Sequence, residues 1–273
     1  MRLRVPFRVR ALLLTLALAF LGALPACETT QTGRSYMALI SRDEAAQMGE
    51  QAFRELIADP ATASRIVRSG PAFQQVDRIT RRMVDVARKD EPGFQWEWVV
   101  IDEPQTVNAF CLPGGKIAVY TGIIPVAKSD DELAAVIGHE IAHATNHHGQ
   151  KRVSQAMREG LISEVIGGAA GMSQEETEIL AGAIGVVGST FDDYSRDDET
   201  ESDIVGLRYL IEAGYDPYGA VRFWENMVKL SGPSQSDWMS THPANELRVE
   251  NLKKAIEIYR TSGIEAWKFE HYN

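Results

Sequence analysis

Residues 129–149 read SDDELAAVIGHEIAHATNHHG, and their pattern predicts one buried helix with chemistry on it. Ser129 and Glu132 form a capping-box pair, and the acidic residues 130–132 suit the positive end of a helix dipole. Leu133, Val136, Ile137, Ile141 and Ala144 recur at helical spacing. Asn146 to Gly149 is the expected stop, with Gly149 as the terminating glycine. His139 and His143 lie about one turn apart, so their imidazoles leave the same face and can meet at one metal ion. Glu140 lies about 100° further round, within reach of a water held by that metal but off the ligand face. This is the division of labour of a zinc hydrolase, in which imidazoles hold the metal and a carboxylate moves the proton.

A catalytic zinc usually takes a third protein ligand. The extended form of the motif needs glycine and histidine at 146 and 149, where this chain has Asn146 and Gly149. The ligand must therefore come from elsewhere, and the best candidate is Glu199 in the run Ser195-Arg196-Asp197-Asp198-Glu199-Thr200-Glu201-Ser202-Asp203. On a helix, Glu199 and Asp203 share a face one turn apart. Asp203 is then suited to accept the second N–H of a ligating histidine and fix its tautomer. A solvated acidic helix start is the competing reading at this point, because Asp197, Asp198 and Glu201 crowd the same stretch.

His139-Glu140-Ile141-Ala142-His143, Ser195-Arg196, the Glu199 to Asp203 spacing and Ala213-Gly214-Tyr215-Asp216-Pro217 together resemble the zinc metallopeptidase family that includes the CAAX prenyl endopeptidase, HtpX and the bacterial lipoprotein LoiP. Asn108 to Ile117 resembles that family's edge-strand hairpin, and Thr241-His242-Pro243 with Arg248 its C-terminal motif. The resemblance implies an α+β, mostly helical zincin fold of the minigluzincin type, with a small mixed sheet beside the active-site helix. It implies one Zn²⁺ per chain on His139, His143 and Glu199, with Glu140 as general base. Asn108, Ala109 and Phe110 would pair with an extended substrate through main-chain hydrogen bonds, which favours unfolded polypeptides. His242 would face the zinc, either as a donor to the oxyanion or as a group filling the open metal position in a latent enzyme. Arg248 would orient that loop or pair with a carboxylate near the site. His147 and His148 fall just past the ligand face and read as surface residues or as a second layer behind it.

The N-terminus points to a compartment. Arg2, Arg4, Arg8 and Arg10 precede an apolar run over 11–24, the form of a secretory signal over residues 1–26. Leu24-Pro25-Ala26-Cys27 resembles a bacterial lipobox, which would make Cys27 the lipidated first residue; a cleaved, soluble periplasmic protein is the competing reading. Residues 27–40 read as a polar tether and 41–273 as one metallopeptidase domain. The expected location is the bacterial cell envelope, at the periplasmic face of the outer membrane. Removing the four leader arginines takes the net charge from −10 to −14, which argues against nucleic acid as a partner. With Cys27 lipidated, Cys111 is the remaining thiol and reads as a small buried strand residue.

Helices are expected over 41–58, 72–89, 153–170, 175–189, 218–230 and 245–259, with a strand over 94–101. The functional expectation is hydrolysis of unfolded or misassembled envelope proteins, with outer-membrane assembly factors or other proteases as candidate partners. Two other classes remain open: a chaperone-like binding factor for outer-membrane proteins, and a zinc amidase acting on cell-wall peptides.

Overall fold

The computed structural model describes residues 26–162, 179, 180, 182–185, 194–230, 242 and 246–263. The α-helices whose bounds are described are α1 (Arg42–Ala58), α2 (Pro60–Ala63), α3 (Pro71–Ala87), α4 (Ile124–Ala127), α5 (Asp130–Thr145), α6 (His148–Arg158), α7 (Arg196–Glu212), α8 (Tyr218–Leu230) and α9 (Glu246–Ser262). Helix α5 is the centre of the molecule and is buried without a break from Glu132 to Thr145. The Ser129 hydroxyl accepts from the Glu132 amide at 3.2 Å, the cap that its sequence predicts. Ser41 and Glu44 form the full reciprocal capping box at the start of α1.

Helices α5 and α7 cross at two glycines. A β-carbon on Gly206 would meet the His139 amide nitrogen at 2.9 Å and the Gly138 backbone at 3.0 Å. A side chain at this crossing would push the helix carrying His139 away from the one carrying Glu199 and Asp203. The small residues are what let two backbones approach closely enough to share one site.

The sheet has the order β3 (Ile66–Val67), β4 (Glu97–Ile101), β6 (Lys116–Tyr120), β5 (Ala109–Leu112). Strands β4 and β6 run parallel, and the other pairs are antiparallel, so the sheet is small and mixed as expected. Among the described residues, strand β5 pairs on one side alone and ends the sheet. All four of its residues are buried, including Cys111, against α5. The β5–β6 turn uses Gly114 and Gly115, both at φ +84°, a conformation that disfavours any other residue. A β-carbon on Gly49 would lie 2.1 Å from the Pro113 carbonyl oxygen, so α1 rests directly on this turn.

Three expectations need correction. Where a polar tether was expected over 27–40, the chain forms a hairpin of β1 (Ala26–Thr29) and β2 (Ser35–Ala38). Thr30, Tyr36, Ala38 and Ile40 are buried, and the Gln31 side chain reaches the Thr145 carbonyl and the Tyr209 hydroxyl. These partners lie more than 100 positions away, so local composition could not reveal them. Helix α5 is also not stopped by Gly149. His147 takes the left-handed position at φ 58°, and Gly149 falls inside α6, where its missing side chain accommodates Pro113. Finally, His147 and His148 are buried, so the surface reading falls and the second-layer reading stands.

Helix α6 covers the first part of the helix expected over 153–170. Of the segment expected over 175–189, Ile179, Leu180, Ala183 and Ile184 pack with Val153 and Ala156. Residues 159–162 form a turn and bend, so the helix expected to continue to 170 ends at Arg158; residues 163–170, 175–178, 181 and 186–189, the leader over 1–25 and the neighbours of His242 at 241 and 243–245 lie outside the described residues. Among the described residues no helix is long and apolar enough to cross a membrane.

Candidate metal centre

Helix α5 supplies His139 and His143, α7 supplies Glu199 and Asp203, and α9 supplies Arg248. The two histidine Nε2 atoms lie 3.0 Å apart. Glu199 lies 3.5 Å from His139 Nε2 and 3.3 Å from His143 Nε2. His242 joins them, its Nδ1 2.8 Å from the Glu199 carboxylate and 3.3 Å from His139 Nε2. These four residues offer ligand atoms that all lie within 4.8 Å of one another, and all four are buried. Donors bonded to a tetrahedral zinc at about 2.0–2.2 Å sit roughly 3.3–3.6 Å apart, so the cluster has the size and the nitrogen–oxygen chemistry of a zinc site. Glu140 is also buried, and its carboxylate approaches His242 Nε2 at 3.5 Å.

The electrostatics favour a cation at this point. Burial works against the charge on Glu199, but His242 and Arg248 outweigh it and hold the carboxyl well below the usual range. Burial also opposes the charge on Asp203, and Arg248 and His139 overcome it. Asp203 accepts from His139 Nδ1 at 3.0 Å and receives two 2.7 Å bonds from Arg248. Burial disfavours a proton on His139, yet Asp203 and Glu199 push its pKa up to about 9. Carboxylates that stabilise a second proton on this ring would equally stabilise a metal ion at Nε2. Burial, with repulsion from His139, drives His143 well below the usual imidazole range, toward the neutral form that ligates.

The structure thus brings together His139, Glu140, His143, Glu199, Asp203, His242 and Arg248. Asp198, Glu199, Glu201 and Asp203 are buried, so the acidic start of α7 is not a solvated face; Asp197 alone of that run's carboxylates is exposed. Arg248 is buried as well, bonded to Asp203 and Glu199 and stacked with its guanidinium carbon 3.4 Å from the Trp224 ring centre. Asn108 is buried and precedes β5, while Ala109 and Phe110 lie in that strand. Cys111 lies close to Glu140. Burial, followed by that carboxylate, raises its thiol well above the ordinary value and keeps it an inert strand residue.

One group near the cluster, Tyr194, escaped the reading of the sequence, and another, His148, was left between two positions. Tyr194 lies over the cluster, its ring centre 3.9 Å from that of His143 and stacked at 5.4 Å on His242, with the Arg152 guanidinium carbon 4.3 Å from its centre. Its position just ahead of the Ser195 cap was the available signal. His148, five residues beyond His143, places its Nδ1 2.9 Å from His143 Nδ1 and its Nε2 3.1 Å from Glu201. The left-handed turn at His147 redirects the chain and brings His148 back against His143.

Residues 72–256 match peptidase family M48. The chain is similar to "Mitochondrial metalloendopeptidase OMA1" of Saccharomyces cerevisiae, at 31% identity over 70% of this chain and 59% of that protein. It is 36% identical to the protein of the same name from Arabidopsis thaliana, over 62% of this chain and 34% of that protein. It is 30% identical to "Metalloprotease LoiP" of Escherichia coli, over 54% of this chain and 58% of that protein. The chain therefore spans between about a third and three-fifths of the length of these relatives.

Proposed function

Because the chain belongs to peptidase family M48, we propose that it is a zinc-dependent endopeptidase that cleaves unfolded or misassembled polypeptides of the bacterial cell envelope. The observation that carries this reading is the convergence of His139, His143 and Glu199 on one point, with Glu140 on the adjacent face of the same helix and β5, at the end of the described sheet, packed beside it. His139, His143 and Glu199 hold the metal, which when bound acidifies a water and polarises the scissile carbonyl. Glu140 takes the water's proton and passes it to the leaving amine. His242, 3.5 Å from Glu140, is placed to donate to the developing oxyanion. Asp203 holds the His139 ring, and Arg248 holds Asp203 and Glu199. Main-chain pairing along 108–110 selects extended chains with weak side-chain preference.

The test is cleavage of casein by the purified full chain. Activity should disappear with a chelator and return with Zn²⁺, with cell-wall peptides left intact. Casein left uncut by the zinc-loaded protein, or cell-wall peptides cut instead, would overturn the assignment.

Membrane attachment through a lipid on Cys27 belongs to the same proposal. The Cys27 side chain is exposed, and its cross-strand partner Met37 is 50% exposed. Since the hairpin is docked, an anchor there would hold the domain against the membrane with no slack between them. The resemblance to LoiP supports an envelope location, and outer-membrane assembly factors or other envelope proteases remain the proposed partners. A Cys27→Ser variant is expected to move from the membrane fraction to the soluble fraction; full retention in the membrane fraction would refute the anchor.

A further inference from the structure

We propose that His148 is a positioning residue for His143, and that the loop joining β1 and β2 secures Glu201 behind it, so that the N-terminal hairpin completes the metal site. The chain of contacts starts at the loop. The Thr30 and Thr32 hydroxyls both donate to one Glu201 oxygen, and Arg34 donates to the other at 2.9 Å. Glu201 is wholly buried and faces His148 Nε2 at 3.1 Å. A carboxylate that already receives these donors is an acceptor, so the proton between them belongs to His148 Nε2. With that proton at Nε2, the ring offers its lone pair at Nδ1, which faces His143 Nδ1 at 2.9 Å and the Ser202 hydroxyl at 3.3 Å. His143 must donate from Nδ1, and that leaves its Nε2 lone pair aimed at Glu199 and His139, where a ligand is needed. With the opposite tautomer, a hydrogen would occupy the centre of the donor cluster.

His148, Asp198 and Glu201 also lie close enough together to suggest a second metal site. Their charges are already met: Lys151 donates to Asp198 at 2.6 Å, and Arg34 reaches Asp198 at 3.1 Å as well as Glu201. A metal ion would have to displace two side-chain cations. The cluster is better explained as the support of His143.

The inference rests on His143 being a ligand, and the experiment separates the two claims. Zinc affinity of the full chain is measured by competition with a chelator, and the ligand field by the absorption of the Co²⁺-substituted protein. His143→Ala should lose the site; if it binds zinc as wild type does, the ligand assignment fails. His148→Leu should weaken zinc by about 10- to 100-fold and alter the Co²⁺ spectrum. His148→Asn, whose amide oxygen replaces the Nδ1 acceptor, should stay within about threefold of wild type, whereas His148→Gln, which reaches toward Glu201, should resemble His148→Leu. Thr30→Val combined with Thr32→Val should shift the Co²⁺ spectrum in the same direction. Wild-type affinity in His148→Leu alongside loss in His143→Ala would overturn the positioning role alone. If His148→Leu does not fold, equal affinities for the Asn and Gln variants would overturn it.

Discussion

Glu140→Gln is expected to keep its zinc and lose peptide hydrolysis by at least about 10²- to 10⁴-fold, the range attributed to a positioned acid–base group. Glutamine fills the same volume and still hydrogen-bonds, but it cannot take a proton from water. The side chain is 3% exposed, so a change in shape would disturb α5, and the isosteric amide avoids this. None of the three proposed ligands is altered. Zinc stoichiometry and melting temperature should therefore match wild type while casein cleavage disappears. Full cleavage would remove Glu140 from the mechanism. Retained activity of this variant in a folding assay for outer-membrane proteins would instead favour the chaperone-like class. His139→Ala should behave differently, losing metal and activity together.

The second large effect lies outside the ligand set. Arg248→Met is expected to destabilise the metal-free fold by about 3–5 kcal/mol, because it strands two buried carboxylates without their cation. For a domain of this size that is a fall of roughly 6–20 °C in melting temperature. Methionine retains much of the side-chain volume over Trp224, so the loss is mainly electrostatic. Zinc at Glu199 would restore part of the missing positive charge. The variant should accordingly lose more stability than wild type when a chelator is added, and thermal melts with and without chelator measure the difference. A metal-free melting point within about 2 °C of wild type, about 1 kcal/mol or less for a domain of this size, would show that Arg248 does not carry this charge balance.

The extent to which the site was legible follows from how local each signal is. His139, Glu140 and His143 lie within one turn and a half of one helix, and their geometry depends on helical periodicity alone. The Ser129 and Ser41 caps are likewise three-residue patterns, and both appear where the sequence puts them. Glu199 and Asp203 share a face for the same reason, but their burial had to be inferred from the family resemblance. Their neighbours Asp198 and Glu201 look solvated in sequence and are buried with Arg34 and Lys151 approaching from other elements. The hairpin over 26–38 was the largest misreading. Its strands are four residues each, too short for alternation to declare itself, and its polar loop is buried by hydrogen bonds to a helix 169 to 171 positions away.

Local sequence was therefore sufficient to put His139, Glu140 and His143 together on one buried helix and to mark the β5–β6 hairpin beside it. Helical and strand periodicities are short-range properties of the backbone, and a few side chains reveal them. Only the folded chain decided which face of α7 meets α5, through the close approach of Gly138 and Gly206. It also decided that a left-handed His147 returns His148 to the ligand, and that the N-terminal segment is part of the domain. Those outcomes depend on backbone packing and hydrogen-bond partners supplied by other elements of the fold. A buried carboxylate or imidazole is tolerated when such a partner arrives, and sequence spacing contains no record of that arrival.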